Sequence, residues 1–232
     1  MKTFKALSAL LNYPTQELQG AADELRTVIR DDNLVPAAVR RQLDGLIDDI
    51  ASGDLYDLQE RYVLLFDRTR SLSLHLFEHV HGESRDRGQA MIDLKALYEK
   101  NGLLISAAEL PDFLPLFLEY LSTQPFAETR ETLGQTVHIL SALAERLRRR
   151  QSPYEAALRA LVAVAAAKPS AEAVAALLDE QDSDPADLAA LDLAWADDPV
   201  TFGPAASSCK DGIIARIRAG KRPAPAPAAP ET

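Results

Sequence analysis

The sequence predicts an all-α protein, a single compact helical domain followed by an acidic, partly extended C-terminal arm. Three observations carry that prediction. Ala and Leu supply 73 of the 232 residues and Val and Ile only 19, and small or unbranched side chains lose less rotamer freedom in a helix than β-branched ones. Glycine is scarce, ten in all, which disfavours folds built on glycine-rich turns. Apolar residues also recur at three- and four-residue spacing through the first two-thirds of the chain, the period of one helix face.

The elements are taken in chain order. Residues 2–11 form a short apolar helix stopped by Asn12-Tyr13-Pro14, and a second helix spans about Thr15 to Arg30. Pro36 sits where a helix begins, and Val39, Leu43, Leu46, Ile47 and Ile50 make one apolar stripe closed by Gly53. Asp54 or Asp57 caps the next helix, striped by Leu55, Leu58, Tyr62, Leu65 and Phe66. Between 67 and 89 the period is ambiguous: Leu72, Leu74 and Leu76 alternate like a strand, whereas Leu72, Leu76 and Val80 share a helical face. Helix resumes by Ala90, with Met91, Leu94, Leu97 and Tyr98, and Asn101-Gly102 ends it. Ser106 and Glu109 are spaced as a capping box ahead of Pro111. Phe113 to Leu121 is apolar on nearly all sides, so this helix is expected to be the most buried. A long helix then runs from about Phe126 to Arg150, and its four terminal arginines, Arg146, Arg148, Arg149 and Arg150, suit the negative end of the helix dipole. Ser152-Pro153-Tyr154-Glu155 reads as a capping box that starts another helix.

Composition divides the chain into a helical domain over 1–168, an acidic arm with short helices over 169–222, and a disordered Pro/Ala tail over 223–232. Between Pro169 and Cys209 nine acids occur with no Lys or Arg. Short helices are expected near 171–179 and 211–219, with Trp195 and Phe202 as aromatic anchors of the arm.

The net charge of −10 repels a phosphate backbone and excludes general nucleic-acid binding. One cysteine, Cys209, allows neither an internal disulfide nor a Cys-rich metal site. No secretory signal is evident, and the longest strongly apolar run, Ala160 to Ala167, is eight residues, against the ~20 that span a bilayer. A soluble, cytoplasmic protein with no stable membrane insertion is expected.

His75-Leu76-Phe77-Glu78-His79 matches the H-x-x-E-H order of inverted zinc proteases, in which two histidines one turn apart hold the metal and the glutamate acts as base. A zinc-dependent hydrolase using His75, Glu78 and His79, with His81 nearby, is therefore one reading. No phosphate loop, dinucleotide fingerprint or nucleophile elbow is present. Without a convincing nucleophile the residues favour a binding or scaffolding protein, and a plain helical adaptor is a second alternative.

The stretch from Glu60-Arg61-Tyr62-Val63-Leu64-Leu65-Phe66-Asp67 through His75-Leu76-Phe77-Glu78-His79-Val80-His81-Gly82-Glu83 to Ala90-Met91 closely resembles the signature of NarJ-type nitrate reductase chaperones, molybdenum-cofactor assembly proteins within a wider family of helical redox-enzyme maturation chaperones. Leu10-Leu11-Asn12-Tyr13-Pro14 and Asp197-Asp198-Pro199-Val200-Thr201-Phe202-Gly203 are similar to the opening and C-terminal motifs of that family, and the resemblance spans about 1–218. Phe113 stands where the wider family has a histidine, so that residue's role does not carry over. The resemblance implies a non-catalytic, cofactor-free chaperone. Its partner is the immature catalytic (alpha) subunit of respiratory nitrate reductase, including that subunit's N-terminal segment, and it assists molybdenum cofactor insertion before membrane docking. On this reading Tyr62, Phe66, Leu72, Leu76 and Phe77 supply apolar groove contacts for a client helix. Arg70, Glu83, Arg85 and Arg87 orient the client, and His75, His79 and His81 make its affinity sensitive to pH.

Overall fold

The computed structural model describes residues 1–81, 85–106 and 109–179, with the side chains of His81, Arg85 and Asp86 excepted. Regular structure among them is helical, and the one extended pairing is an isolated antiparallel bridge between His75 and Phe113. Helix α1 spans Lys2–Leu10 and is succeeded by α2 (Gln16–Gly20) and α3 (Ala22–Asp32). The single helix expected over 15–30 is thus two, broken at Ala21, with Thr15 capping the first by accepting from Leu18 N–H.

Helix α4 (Ala37–Ser52) buries Leu43, Leu46, Ile47 and Ile50 as the stripe predicts. Gly53 ends it because a side chain has no room there: a Cβ would lie 2.8 Å from the Asp49 carbonyl oxygen and 3.1 Å from Leu58. Asp54 caps α5 (Leu55–Tyr62) through the N–H groups of Tyr56 and Asp57. A π-helical turn (Val63–Asp67) and a 3-10 turn (Arg70–Leu72) come next, then α6 (Glu78–His81) and α7 (Arg85–Lys100).

The stop at Asn101-Gly102 holds. Gly102 lies at φ 78°, and Gly102 and Leu103 donate to the Glu99 and Tyr98 carbonyls in a Schellman closure. Helix α9 (Phe126–Arg149) closes in the same way, Gln151 and Ser152 donating to the Arg148 and Leu147 carbonyls, but here Gln151 occupies the left-handed position, at φ 53°.

Neither expected capping box forms. Helix α8 (Leu114–Thr123) begins eight residues beyond Ser106, with Phe113 at its N-cap and Pro115 in its first turn. Helix α10 (Glu155–Val164) has no side-chain cap, and the Ser152 hydroxyl is buried without a hydrogen-bond partner. Helix α11 (Ala171–Leu178) starts at Ser170, whose hydroxyl accepts from Ala173 N–H.

Helix α1 packs on α8 and α3, α10 packs on α9 and α4, and α11 lies against α9. One apolar core joins α1 to α10. Each fully buried Leu or Phe in it contributes roughly 1.5–3 kcal/mol of transfer free energy. Among the described residues no helix is long and apolar enough to cross a membrane. The expected anchors Trp195 and Phe202, the helix near 211–219 and the 223–232 tail lie outside the described residues.

Candidate functional site

The signature stretch begins where α5 changes its hydrogen bonding. Arg68 N–H reaches back five residues to the Val63 carbonyl at 2.9 Å, a π turn that adds a residue to the helix without breaking it. This turn brings Leu65 and Phe66 inward beside Tyr62, all three buried. It leaves the Leu64 carbonyl to Thr69, whose hydroxyl donates to it at 2.8 Å and accepts from Arg150 Nη1 at 3.3 Å.

Tyr62 is the hub of an aromatic nest. Its ring meets Tyr13 edge-on at 5.6 Å, Phe66 at 4.9 Å and Tyr154 at 6.2 Å, and its hydroxyl donates to the Leu11 carbonyl at 2.9 Å. Arg61 pairs with Asp49 and lies over the Tyr154 ring. Burial holds both phenols neutral, raising Tyr62 well above the ordinary tyrosine range and Tyr154 to about 12.

The chain crosses itself at the isolated bridge between His75 and Phe113, tied by Leu76 N–H to the Asp112 carbonyl (3.1 Å) and Leu114 N–H to the Leu74 carbonyl (2.9 Å). The wholly buried Asp112 side chain organises this crossing. Its Oδ2 accepts from Phe77 N–H at 3.1 Å, and its Oδ1 lies 3.2 Å from His75 Nδ1. The His75 ring stacks obliquely on Phe113 at 5.3 Å. Burial alone would push His75 down, but the hydrogen bond and charge of Asp112, with Glu78, outweigh burial and the opposing Arg87, so its pKa is raised. Burial raises Asp67, tempered by the charge of His75. His79 Nε2 lies 2.8 Å from the Ser73 carbonyl oxygen, which only accepts, so Nε2 carries the proton. Arg87 pairs with Glu78 at 3.1 Å.

These placements revise the expected site. Tyr62, Phe66, Leu72, Leu76 and Phe77, expected as groove contacts, are each at most 5% exposed. Among the described residues their side chains pack into the core beneath the signature, so in this conformation they act there as core residues. Arg70, His75, His79 and Arg87 are half-buried at its rim; the side chains of His81, Glu83 and Arg85 lie outside the described residues.

The zinc reading loses its geometry. His75 sits in the extended bridge, before α6 begins, and its Nδ1 faces Asp112 while His79 Nε2 faces a carbonyl. Among the described residues no group of three potential ligands is assembled.

Sequence reasoning missed three features. Asp112 stands beside Phe113 in a stretch that resembles the wider family's, yet nothing local signalled its role, because its partners are 35 and 37 residues away. Arg146, read with Arg148, Arg149 and Arg150 as suiting the helix dipole, is 1% exposed and donates to the Ser71 carbonyl at 2.6 Å and to the Leu177 carbonyl. Beside the π turn a surface groove of about 320 Å³ is lined by Tyr13, Tyr56, Glu60, Val63, Leu64 and Arg68. Tyr56 is 80% and Tyr13 45% exposed; two open aromatics three residues or fewer from helix ends were the available signal.

Comparison with known proteins bears on this arrangement. The sequence model of the family described as "nitrate reductase delta subunit" matches residues 32–160, which span α4 to α10 and enclose the π turn, the Asp112 crossing and Arg146. The chain is 40% identical over 205 residues (87% of this chain, 84% of the relative) to the probable nitrate reductase molybdenum cofactor assembly chaperone NarW of Escherichia coli K12. It is also 40% identical over 208 residues (90% and 87%) to the nitrate reductase molybdenum cofactor assembly chaperone NarJ of the same strain. The probable chaperone NarJ of Bacillus subtilis is 32% identical over 161 residues (69% and 86%). With more than half its length under the family model and its relatives covered nearly end to end, the chain belongs to the nitrate reductase delta subunit family.

Proposed function

We propose that this protein is a non-catalytic assembly chaperone for nitrate reductase, acting in the cytoplasm. It holds the immature catalytic subunit while the molybdenum cofactor is inserted. The observation that carries the reading is the 40% identity, over 87–90% of the chain, to proteins named as nitrate reductase molybdenum cofactor assembly chaperones.

The client element is the N-terminal segment of the catalytic subunit, and its docking place is the groove beside the π turn. Tyr13 and Tyr56 offer large amphipathic surfaces with little side-chain entropy to lose, the residue type enriched at binding hot spots. Val63 and Leu64 give the groove an apolar floor, and Glu60 at its rim suits a basic residue of the client. Arg70, His75, His79 and Arg87, half-buried in the structure, and His81, Glu83 and Arg85 of the same sequence signature are further client contacts on this reading.

Calorimetry with a synthetic peptide of the catalytic subunit's N-terminus tests this. Tyr56→Ala is expected to weaken binding by about 1–2 kcal/mol while leaving the fold within about 0.5 kcal/mol of wild type, since Tyr56 is mostly exposed. Unchanged affinity in both Tyr56→Ala and Glu60→Arg would remove the groove from the proposal. Failure of the full-length immature subunit to co-purify at low salt would remove the client itself.

A further inference from the structure

The chain leaves the described residues beside the signature loop. Leu177 sits in the last turn of α11, and its carbonyl shares the Arg146 guanidinium with that of Ser71. Asp179, two residues on, is the last of the described residues. The last turn of α11 is therefore tied through Arg146 to the 3-10 turn Arg70–Leu72.

That neighbourhood is cationic. From Val63 to Leu72 the sequence carries Arg68 and Arg70 against one acid, Asp67. Arg150 enters from the end of α9, its Nη1 3.3 Å from Thr69 Oγ1, between those two arginines in sequence. Arg68 is exposed, and Arg70 and Arg150 are half-buried. The segment 180–198 is the complement: Glu180, Asp182, Asp184, Asp187, Asp192, Asp197 and Asp198 with no Lys or Arg.

We propose that residues 180–198 of this chain dock back onto the face formed by Arg68, Arg70 and Arg150, forming an acidic wall at the edge of the signature loop. An unrelated polyanion is a poor occupant, because it meets the field of a chain at −10. A tethered segment meets no such barrier, since its own acids supply seven of those charges and it arrives at an effective concentration of the order of millimolar. Individually weak surface ion pairs then suffice, because several act at once and the tether has already removed most of the association entropy. This inference does not rest on the client reading, and of its three arginines Arg68 alone also lines the groove assigned to the client.

The test uses the full chain with one spin label. Cys209 is the only cysteine, so Cys209→Ser with Ala190→Cys puts a label in the middle of the segment. The measurement is label-induced broadening of backbone amide signals. Docking concentrates the broadening on residues 68–72 and 149–152. It should fall at least roughly threefold in 0.5 M salt, where the Debye length drops to a few ångströms, and likewise in Asp182→Asn/Asp184→Asn/Asp187→Asn. Arg68→Glu, at an exposed position that also borders the groove beside the π turn, should weaken it without altering the spectrum of the core. Broadening spread evenly over the surface, centred on another face, or insensitive to the three Asn substitutions would overturn the proposal. So would broadening seen only between labelled and unlabelled molecules in a mixed sample, which would make the occupant a second copy.

Discussion

Replacing Asp112 by Asn keeps the side chain's shape and removes its charge, and the geometry of the crossing sets the cost. The wild-type carboxylate serves two donors, Phe77 N–H at 3.1 Å and His75 Nδ1 at 3.2 Å. An Asn oxygen serves one. If it stays on Phe77 N–H, whose residue is 2% exposed, the amide NH2 faces His75 and tolerates only the neutral ring. A charge-assisted hydrogen bond lost in this setting costs about 1.5–3 kcal/mol, or ~3–12 °C in melting temperature at this chain length. Asp112→Ala, which removes the carboxylate that accepts from Phe77 N–H, should cost about 2–4 kcal/mol.

The pH dependence gives the sharper readout. His75 has a folded pKa raised above its ordinary 6.5, so the folded state binds its proton more tightly than the unfolded chain does. The stability it contributes is complete below 6.5 and disappears as pH climbs through the raised value. His138, lowered by burial, acts in the opposite sense, contributing stability that is present above 6.5 and lost as pH falls through its lowered value. His138 is common to both proteins, so the difference between wild type and Asp112→Asn isolates His75. Urea titrations from pH 5.5 to 8 should show the gap between them narrowing as pH rises. A gap under about 0.5 kcal/mol at pH 6, within the range of an ordinary surface substitution, or one that is constant with pH, would refute the assignment of Asp112 as the organiser of this crossing.

Arg146→Met should cost about 2–4 kcal/mol in urea denaturation, because it strands two carbonyl acceptors, and Arg146→Lys should recover only part of that, since an ammonium cannot span both as a planar fork does. Gln151→Gly should stabilise by roughly 0.5–1 kcal/mol by relieving a left-handed glutamine, whereas Gly102→Ala, at the matching position of α7, should destabilise by about 1 kcal/mol; thermal melts of the two variants give opposite signs. Asp54→Ala should cost about 1 kcal/mol through loss of the α5 cap, with client binding unchanged.

Helices α1, α4 and α9 were legible because each has one buried stripe or a stop that chemistry enforces, such as Gly53 or Asn12-Tyr13-Pro14, and α11, which buries no residue, was legible from its alanine-rich composition. The stretch from Leu72 to Phe77 was not, because a chain threaded through the core buries Leu72, Leu74, Leu76 and Phe77 alike and so displays neither period. The same burial explains why these residues looked like binding contacts: an apolar signature is the same string whether it faces a client or its own domain. The π turn escaped notice because Leu65 and Phe66 fit an uninterrupted α stripe as well. Asp112 and Arg146 were illegible for a different reason, since their partners are neutral backbone groups or lie far off in sequence, which no local pattern encodes. Both failed capping boxes, at Ser106 and Ser152, had the right letters, but the neighbouring prolines and the crossing at Asp112 set where the helices begin.

The forked grip of Arg146 has a mechanical corollary. A single planar group bridges Ser71 and Leu177, so neither strand of chain can slide along α9 without dragging or releasing the other. Tension applied at the C-terminal side of α11 is transmitted to the turn at Arg70–Leu72 through one rigid crossbar, and distortion of that turn is felt equally at the root of the arm. Equilibrium linkage makes this traffic two-way: any load that loosens one end must loosen the other by the same free energy.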